Sequence, residues 1–486
     1  MHPLVRLVVP WLGLACAWSA EIIAPEPPTS ALSLILGRPT NHSVAINVLS
    51  AEDLDLAIEY GNGELPWSRR SPTVSARAGV PLVVELDRLT PDTAYAWRLS
   101  SRRHAPNAFA NGPTYRFQTC RRPGSTFTFT VQGDSHPERS GKMFNAALYT
   151  ETMRLVARDR PDFHLTLGDD FSIERLIERH ALIQANVDKV YAGQRNFLGL
   201  VGTSSALFLV NGNHEQAGRH WLDGSIDNPA VLAGRARNAF YALPVPDGFY
   251  TGDAEDVQPV GLLRDYYAWT WGDALFVTID PYWHSPVEVD HDRNGQRGGK
   301  DGKNEEKTPK RDPWQATMGD AQYRWLHATL TGSTAKYKFV FAHHVLGTGR
   351  GGIEEAKLYE WGGLDKNGVN RFAEKRPGWP LPVHDLFVKT GVTVFFQGHD
   401  HIFAHQTLDG VVYQSVPNPA DDTYQAFNRD RYRSGDLLEN SGHVRVTVAP
   451  GGIRVDYVRS YLEKDRSPER QHGAVAFGYT VPFREP

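Results

Sequence analysis

Phe163-His164-Leu165-Thr166-Leu167-Gly168-Asp169-Asp170 is a run of strand-forming residues that stops at a glycine followed by two carboxylates. Four more blocks share its grammar. Asp134-Ser135-His136 follows the run Thr126 to Val131, and Gly212-Asn213-His214-Glu215 follows Ala206 to Val210. His343-His344 follows Lys338 to Ala342, and Gly398-His399-Asp400-His401 follows Val392 to Gln397. Each block puts metal-binding side chains just past a predicted strand, and strand-end loops are where α/β folds gather their chemistry. Carboxylate and imidazole donors with no thiolate suit Fe, Mn or Zn. A carboxylate can bridge two cations about 3.5–4 Å apart, and such a pair clamps the attacking and leaving oxygens of a displacement at phosphorus. One such block alone reads as a loop turn or a satisfied polar contact. All five together read as a dinuclear metal site.

The order and wording of the blocks resemble the calcineurin-like metallophosphoesterase superfamily across residues 126 to 460. The resemblance implies a four-layer α/β/β/α sandwich in which Asp134, His136, Asp169 and His401 hold one metal. It assigns Asp169, Asn213, His343 and His399 to the other metal, so that Asp169 is the bridge and a catalytic residue. His214 resembles the residue that contacts the substrate phosphate or protonates the leaving oxygen, beside Asn213; imidazole titrates near neutral pH, which suits a general acid. His343 and His344 compete for one ligand position. Strand alternation sends their side chains opposite ways, and His343 is favoured. In Gly347-Thr348-Gly349-Arg350-Gly351-Gly352, glycine N–H groups and the Arg350 fork suit phosphate oxygens, with a tight solvent-facing turn as the plain alternative.

The expected chemistry is hydrolysis of a small-molecule phosphoester in one displacement, with a metal-bound hydroxide as nucleophile because bound water can have a pKa near ~7. A phosphomonoester is favoured. A phosphodiester or nucleotide is the alternative, because the same core serves all of these, and a non-catalytic secreted binding protein is the reading from a different class. A formal net charge of −4 argues against a nucleic acid polymer as partner. No sequence feature sets an oligomeric state.

The chain has 486 residues, 41% of them hydrophobic, so more than one folding unit is expected. Met1 to Ala20 read as a cleaved secretory signal, with Arg6, an apolar run from Leu7 to Ala17 and small residues after it. Secretion or a periplasmic location follows. No later stretch approaches a membrane span. Removing the signal removes Cys16 and leaves Cys120 alone, so no internal disulfide forms. Residues 21 to 120 start with a Pro-rich linker and continue as short alternating segments, which suggests a small β-sandwich. The run Leu89 to Leu99 resembles the tyrosine-bearing strand of fibronectin type III domains, and purple acid phosphatases put a similar sandwich before their metal domain. That family carries a ligating tyrosine three residues after the bridging aspartate; Ser172 stands there instead, so no tyrosinate colour is expected.

The metal domain is expected over 125 to 462 and a C-terminal tail over 463 to 486. Met143 to Arg158, Ile173 to Tyr191 and the stretch around Gln322 to Leu330 have helical spacing. The segments Tyr266 to Trp271, Ala274 to Ile279, Gly410 to Tyr413, His443 to Val448 and Gly452 to Val458 are expected to build the second sheet. Val287 to Lys310 is Gly-rich and charged, a surface loop with the length of a lid.

Overall fold

A computed structural model describes residues 31 to 483, apart from 63–66, 104–105, 216–221, 288, 290–311 and 346–348. The signal sequence, nearly all of the Val287–Lys310 loop, and Gly347 and Thr348 therefore lie outside the described residues. Among the described residues, no helix is long and apolar enough to cross a membrane.

Two mixed sheets stack face to face with helices outside, the four-layer α/β/β/α arrangement. In the first sheet, Phe127–Gln132, Phe163–Thr166 and Ala206–Leu209 run parallel side by side. In the second, Ala274–Thr278, Tyr337–Phe341, Val394–Gln397 and Val411–Ser415 do the same. The strands carry almost nothing but buried side chains because each is covered on both faces, the pattern of parallel sheets between layers. The layer between the sheets is aromatic. Phe129 lies 5.5 Å from the Phe163 ring and 5.1 Å from both Phe276 and Phe339, and all four are buried. Each such burial contributes about 1.5–3 kcal/mol.

Helix Ala146–Asp159 starts at Asn145, whose side chain accepts from the N–H groups of Ala147 and Leu148. With Gln184–Gly202 and Pro229–Phe240 it covers the outer face of the first sheet. Asp320–Gly332 and Val383–Thr390 cover the second. The helical spacing from Ile173 to Tyr191 is not one helix: Glu174–Glu178 is capped by Arg179, His180 beyond it takes a left-handed backbone (φ 53°), and a new helix begins at Gln184.

Other expectations need correcting. His443–Val448 and Gly452–Val458 belong to the first sheet, where Gly442–Ala449 pairs antiparallel with Phe127–Gln132. Their alternating valines mark a buried face, and that face looks the same in either sheet. The stretch set apart as a tail contains the strand Val475–Pro482, which pairs with Gly452–Arg459.

The N-terminal strands form two facing sheets. Leu32–Gly37, Val44–Ser50 and Leu82–Leu86 make one, and Leu54–Asn62 with Ala94–Arg102 and shorter partners make the other. Leu36, Ile46 and Val48 pack towards Ile58, Trp97 and Leu99 between them. The N–H of Thr90 donates to the Tyr95 hydroxyl (2.9 Å), pinning the corner before its strand. This small sandwich is continuous with the large fold, because Gly37 pairs parallel with Leu207 at the edge of the first sheet. Val44–Ser50 is buried on both faces for that reason. Its inner side chains fill the small sandwich, while Leu49 and Ile35 join the helix-covered core.

Buried Arg195 fastens the junction. From helix Gln184–Gly202 its guanidinium donates to Ser33 Oγ (3.0 Å), the Ser33 carbonyl (3.1 Å), Asn47 Oδ1 (2.9 Å), the Asn47 carbonyl (3.0 Å) and the Phe240 carbonyl. Arg195→Ala leaves several buried acceptors unsatisfied, so a loss of about 3–5 kcal/mol is expected in chemical denaturation. A loss below about 1 kcal/mol would show that the junction holds without it.

Candidate metal centre

The two parallel strand sets end on the same side, and the five blocks meet there. Asp134 and His136 come from the loop after Phe127–Gln132, Asp169 from the loop after Phe163–Thr166, and Asn213 from the loop after Ala206–Leu209. His343 follows Tyr337–Phe341, and His399 and His401 follow Val394–Gln397. Asp134, His136 and His401 form one buried donor group; Asp169, His343 and His399 form another.

In the first group, His401 Nε2 is 3.0 Å from Asp134 Oδ2 and 3.1 Å from His136 Nε2. In the second, His343 Nε2 is 3.0 Å from Asn213 Oδ1 and 3.1 Å from His399 Nδ1. Asp169 Oδ2 stands between the groups, 3.5 Å from His136 Nε2 and 3.2 Å from His343 Nε2. Its other oxygen, Oδ1, accepts the N–H of His214 (3.0 Å), so the carboxylate cannot turn away. All seven residues expected as ligands are thus brought together.

The far sides of His136, His343 and Asp134 are held. His136 Nδ1 donates to Glu138 Oε1 (2.8 Å) and His343 Nδ1 donates to the Leu167 carbonyl (2.7 Å), which leaves each Nε2 with its lone pair turned to the centre. Asp134 Oδ1 accepts the N–H of His399 (2.8 Å). Nitrogens and carboxylate oxygens converging at about 3 Å suit cations that take N and O donors, and they repel one another without one. Without a cation, a proton takes its place on His343: burial disfavours its charge, but Asp169 and then Asp134 outweigh that and raise it to about 10. Burial would likewise raise Asp169, yet the His343 and His214 imidazoles hold it well below the usual carboxylate range.

His344 points elsewhere. Its Nδ1 faces the Tyr282 hydroxyl at 3.0 Å, the two rings stack 5.7 Å apart, and burial followed by His343 pushes its pKa down to about 3.

His214 sits beside the centre, with Nε2 3.9 Å from Asp169 Oδ2 and Nδ1 2.9 Å from Glu174 Oε2. Burial opposes its charge, but Asp169 and Glu174 raise it to about 9. Arg139 Nη2 lies 3.1 Å from the same Nε2 and can donate there only to a neutral ring. Arg139 and a proton therefore compete for one nitrogen. Arg350 Nη1 is engaged with the His399 carbonyl and lies 3.3 Å from Asp400 Oδ1, so Arg350 holds the ligand-bearing loop. Asp400 Oδ2 also accepts from Gly351 N–H (2.8 Å) and the Tyr432 hydroxyl (2.7 Å).

The loops are tight. His136, Asp169, His399 and His401 all have left-handed backbones, φ between 50° and 65°, each costing about 1–3 kcal/mol unless the surroundings over-determine it. A side chain at Gly398 would put its Cβ 2.4 Å from Asp134 Oδ1, and one at Gly168 would meet the Gly212 nitrogen at 2.3 Å. Glu215 supplies much of the restraint: Oε1 accepts the N–H groups of Asp170 (2.5 Å) and Phe171 (3.1 Å), and Oε2 accepts that of Gly212 (2.5 Å). Asp170 Oδ1 in turn accepts from Ser135 Oγ (2.5 Å) and Gln132 Nε2 (3.0 Å). Sequence reasoning gave Glu138, Arg139, Glu174 and Glu215 no role. The one available signal was the placing of Glu138 and Glu215 inside or next to ligand blocks.

No protein-family model matches the chain, and no curated protein sequence matches it. Solved structures do resemble its fold. Purple acid phosphatase PPD1 from yellow lupin (Lupinus luteus) seeds superposes with a TM-score of 0.56 at 14% identity, covering 94% of this chain and 74% of that one. PhoD superposes with a TM-score of 0.60 at 14% identity, covering 93% of this chain and 90% of that one.

Because Asp169 Oδ2 faces both donor groups, Asp169→Asn is expected to cost both metal equivalents of this site by elemental analysis, and His343→Ala about one. His344→Gln should keep both. Full metal content in Asp169→Asn would rule out the bridge.

Proposed function

We propose that this chain is a dinuclear metal-dependent phosphoester hydrolase whose preferred substrate is a phosphomonoester. The observation that carries the reading is the single carboxylate oxygen of Asp169 shared between two buried donor groups. A shared-carboxylate pair of cations is suited to in-line displacement at phosphorus. The fold likeness to a purple acid phosphatase adds support for the monoester. The N-terminal sandwich, with its Tyr95 corner, supports a fibronectin type III-like domain ahead of the metal domain. Export rests on Met1 to Ala20 of the sequence.

Asp134, His136, Asp169 and His401 would hold one ion, and Asp169, Asn213, His343 and His399 the other, with Fe, Mn or Zn as candidates. When bound, the ions would supply Lewis-acid charge and activate a water. The protein's own groups do the rest. Asp169 fixes the spacing of the two positions. His214, braced by Glu174, presents Nε2 beside the shared oxygen and delivers its proton to the leaving oxygen. A phosphate oxygen arriving at the rim draws Arg139 off His214 Nε2, which frees that nitrogen to carry the proton. Arg350 acts through the Gly398–His401 loop as a positioning residue. Ser172, where the resembling family has tyrosine, predicts a metal centre without tyrosinate colour.

The test is hydrolysis of p-nitrophenyl phosphate beside bis-p-nitrophenyl phosphate, with metal-stripped protein given Mn, Zn or Fe in turn. Metal-dependent monoester turnover is expected, falling about 100-fold or more in His214→Ala with metal content unchanged. A diester preference would change the substrate class. No turnover of either ester with any metal would overturn the reading.

A further inference from the structure

Asp253, Asp265 and His284 form a further, largely buried donor group, built from segments that carry none of the ligands above. Asp253 follows the short strand Thr251–Gly252, Asp265 precedes Tyr267–Trp271, and His284 lies in the loop after Ala274–Thr278. Each carboxylate has one oxygen fixed by backbone: Asp253 Oδ1 accepts the N–H of Glu255 (2.8 Å) and Asp265 Oδ1 that of Tyr266 (2.9 Å). The strand edge is closed by the N–H of Asp253 donating to the Tyr266 carbonyl (2.9 Å). The other oxygens, both Oδ2, turn to a common point with His284 Nε2, which is 3.3 Å from Asp265 Oδ2 and 3.9 Å from Asp253 Oδ2. All three of these atoms are buried, and they face one another rather than a partner outside the group. Asp265 is 0% exposed and Asp253 3%, whereas the His284 side chain keeps 13% and so leaves a way in for water.

Two carboxylates facing each other away from water carry a charge of which His284, paired with Asp265 Oδ2, can answer at most half. The guanidinium nearest in its effect on Asp265, Arg237, is already donating to the carbonyls of Leu263, Arg264 and Leu209. Asp280, which also acts on His284, has both oxygens occupied, Oδ1 by the N–H of Tyr282 (2.6 Å) and Oδ2 by Asn211 Nδ2 (2.5 Å). Burial and then the facing Asp265 carboxylate push Asp253 up to about 9, a penalty that a cation at the common point removes. We propose that Asp253, Asp265 and His284 bind a further divalent cation of the Zn2+ or Mn2+ class, with water completing its coordination. Two carboxylate oxygens and an imidazole nitrogen fit that class better than the all-oxygen preference of Mg2+ or Ca2+. The ion has a structural role, tying the edge of the second sheet to the loop carrying Asp280 and Tyr282. That loop reaches the metal centre through Asn211, which leads into the Asn213 block, and through Tyr282 against His344.

The full-length chain carrying Asp169→Asn and His399→Ala together isolates this position from the dinuclear centre. Loaded with Zn2+ or Mn2+ and desalted, that protein is expected to keep one equivalent by elemental analysis. Adding His284→Gln, or in a second version Asp265→Asn, should remove it. His284→Gln alone should lower the otherwise intact protein from three equivalents to two and leave phosphoester turnover in place. If the Asp169→Asn/His399→Ala protein is folded by circular dichroism and binds neither metal, the two carboxylates share a proton instead and the proposal falls. It falls equally if His284→Gln and Asp265→Asn both retain the equivalent. Absence of turnover in the parent chain with the third equivalent still bound would instead count only against the hydrolase reading.

Discussion

The two oxygens of Asp169 have separate tasks, and much of the structure serves that separation. Oδ1 is tied to the His214 N–H, so Oδ2 must face the midpoint between two imidazole groups. Holding it there requires a left-handed backbone at Asp169 and at three histidine ligands, strain that an ordinary loop would relax. Glu215 stops the relaxation by gripping the Asp169 and Gly212 loops from beneath, and Asp170 stops it by gripping Ser135. The ligand loops are therefore one buried hydrogen-bonded body. Their precision comes from carboxylates that never touch the centre.

The convergence of the five blocks was legible because metal chemistry restricts residue type and strand ends restrict position. Their restraints were not: Glu174 is indistinguishable in sequence from solvated charge, Glu138 and Glu215 are marked only by lying in or beside the blocks, and three-dimensional closure alone shows what they accept. His343 and His344 show the same boundary from the other side. Alternation says that the two point apart; only the Leu167 carbonyl and the Tyr282 ring say which one faces the centre.

The fold was legible to a similar depth. Alternating or continuous apolar runs marked nearly every central strand, yet His443–Val448 was given to the wrong sheet because periodicity reports burial and not partner. The N-terminal sandwich was visible as strands and turns, but its continuity with the main sheet hangs on one parallel register, Gly37 with Leu207. The complete burial of Val44–Ser50 was its trace in the sequence: VAINVLS has almost no polar face to offer to water. The helix after Ile173 was read as unbroken because apolar spacing runs on past His180, where the backbone itself turns left-handed.

The cluster of donors also bears on how the two sheets find each other. Between them lies a layer of phenylalanine and tryptophan whose attraction is large but weakly directional, so many relative placements bury similar area. Asp134, His136, Asp169 and Asn213 come from the first sheet, and His343, His399 and His401 from the second. The polar bonds at that end are selective where the aromatic layer is not: His343 Nδ1 reaches the Leu167 carbonyl, and the His399 N–H reaches Asp134 Oδ1, each crossing from one sheet to the other. A shift of one sheet by a single residue would break both and scatter the donors. Cations, if bound there, would favour the one placement that assembles the site, which would link metal affinity to the register of the fold.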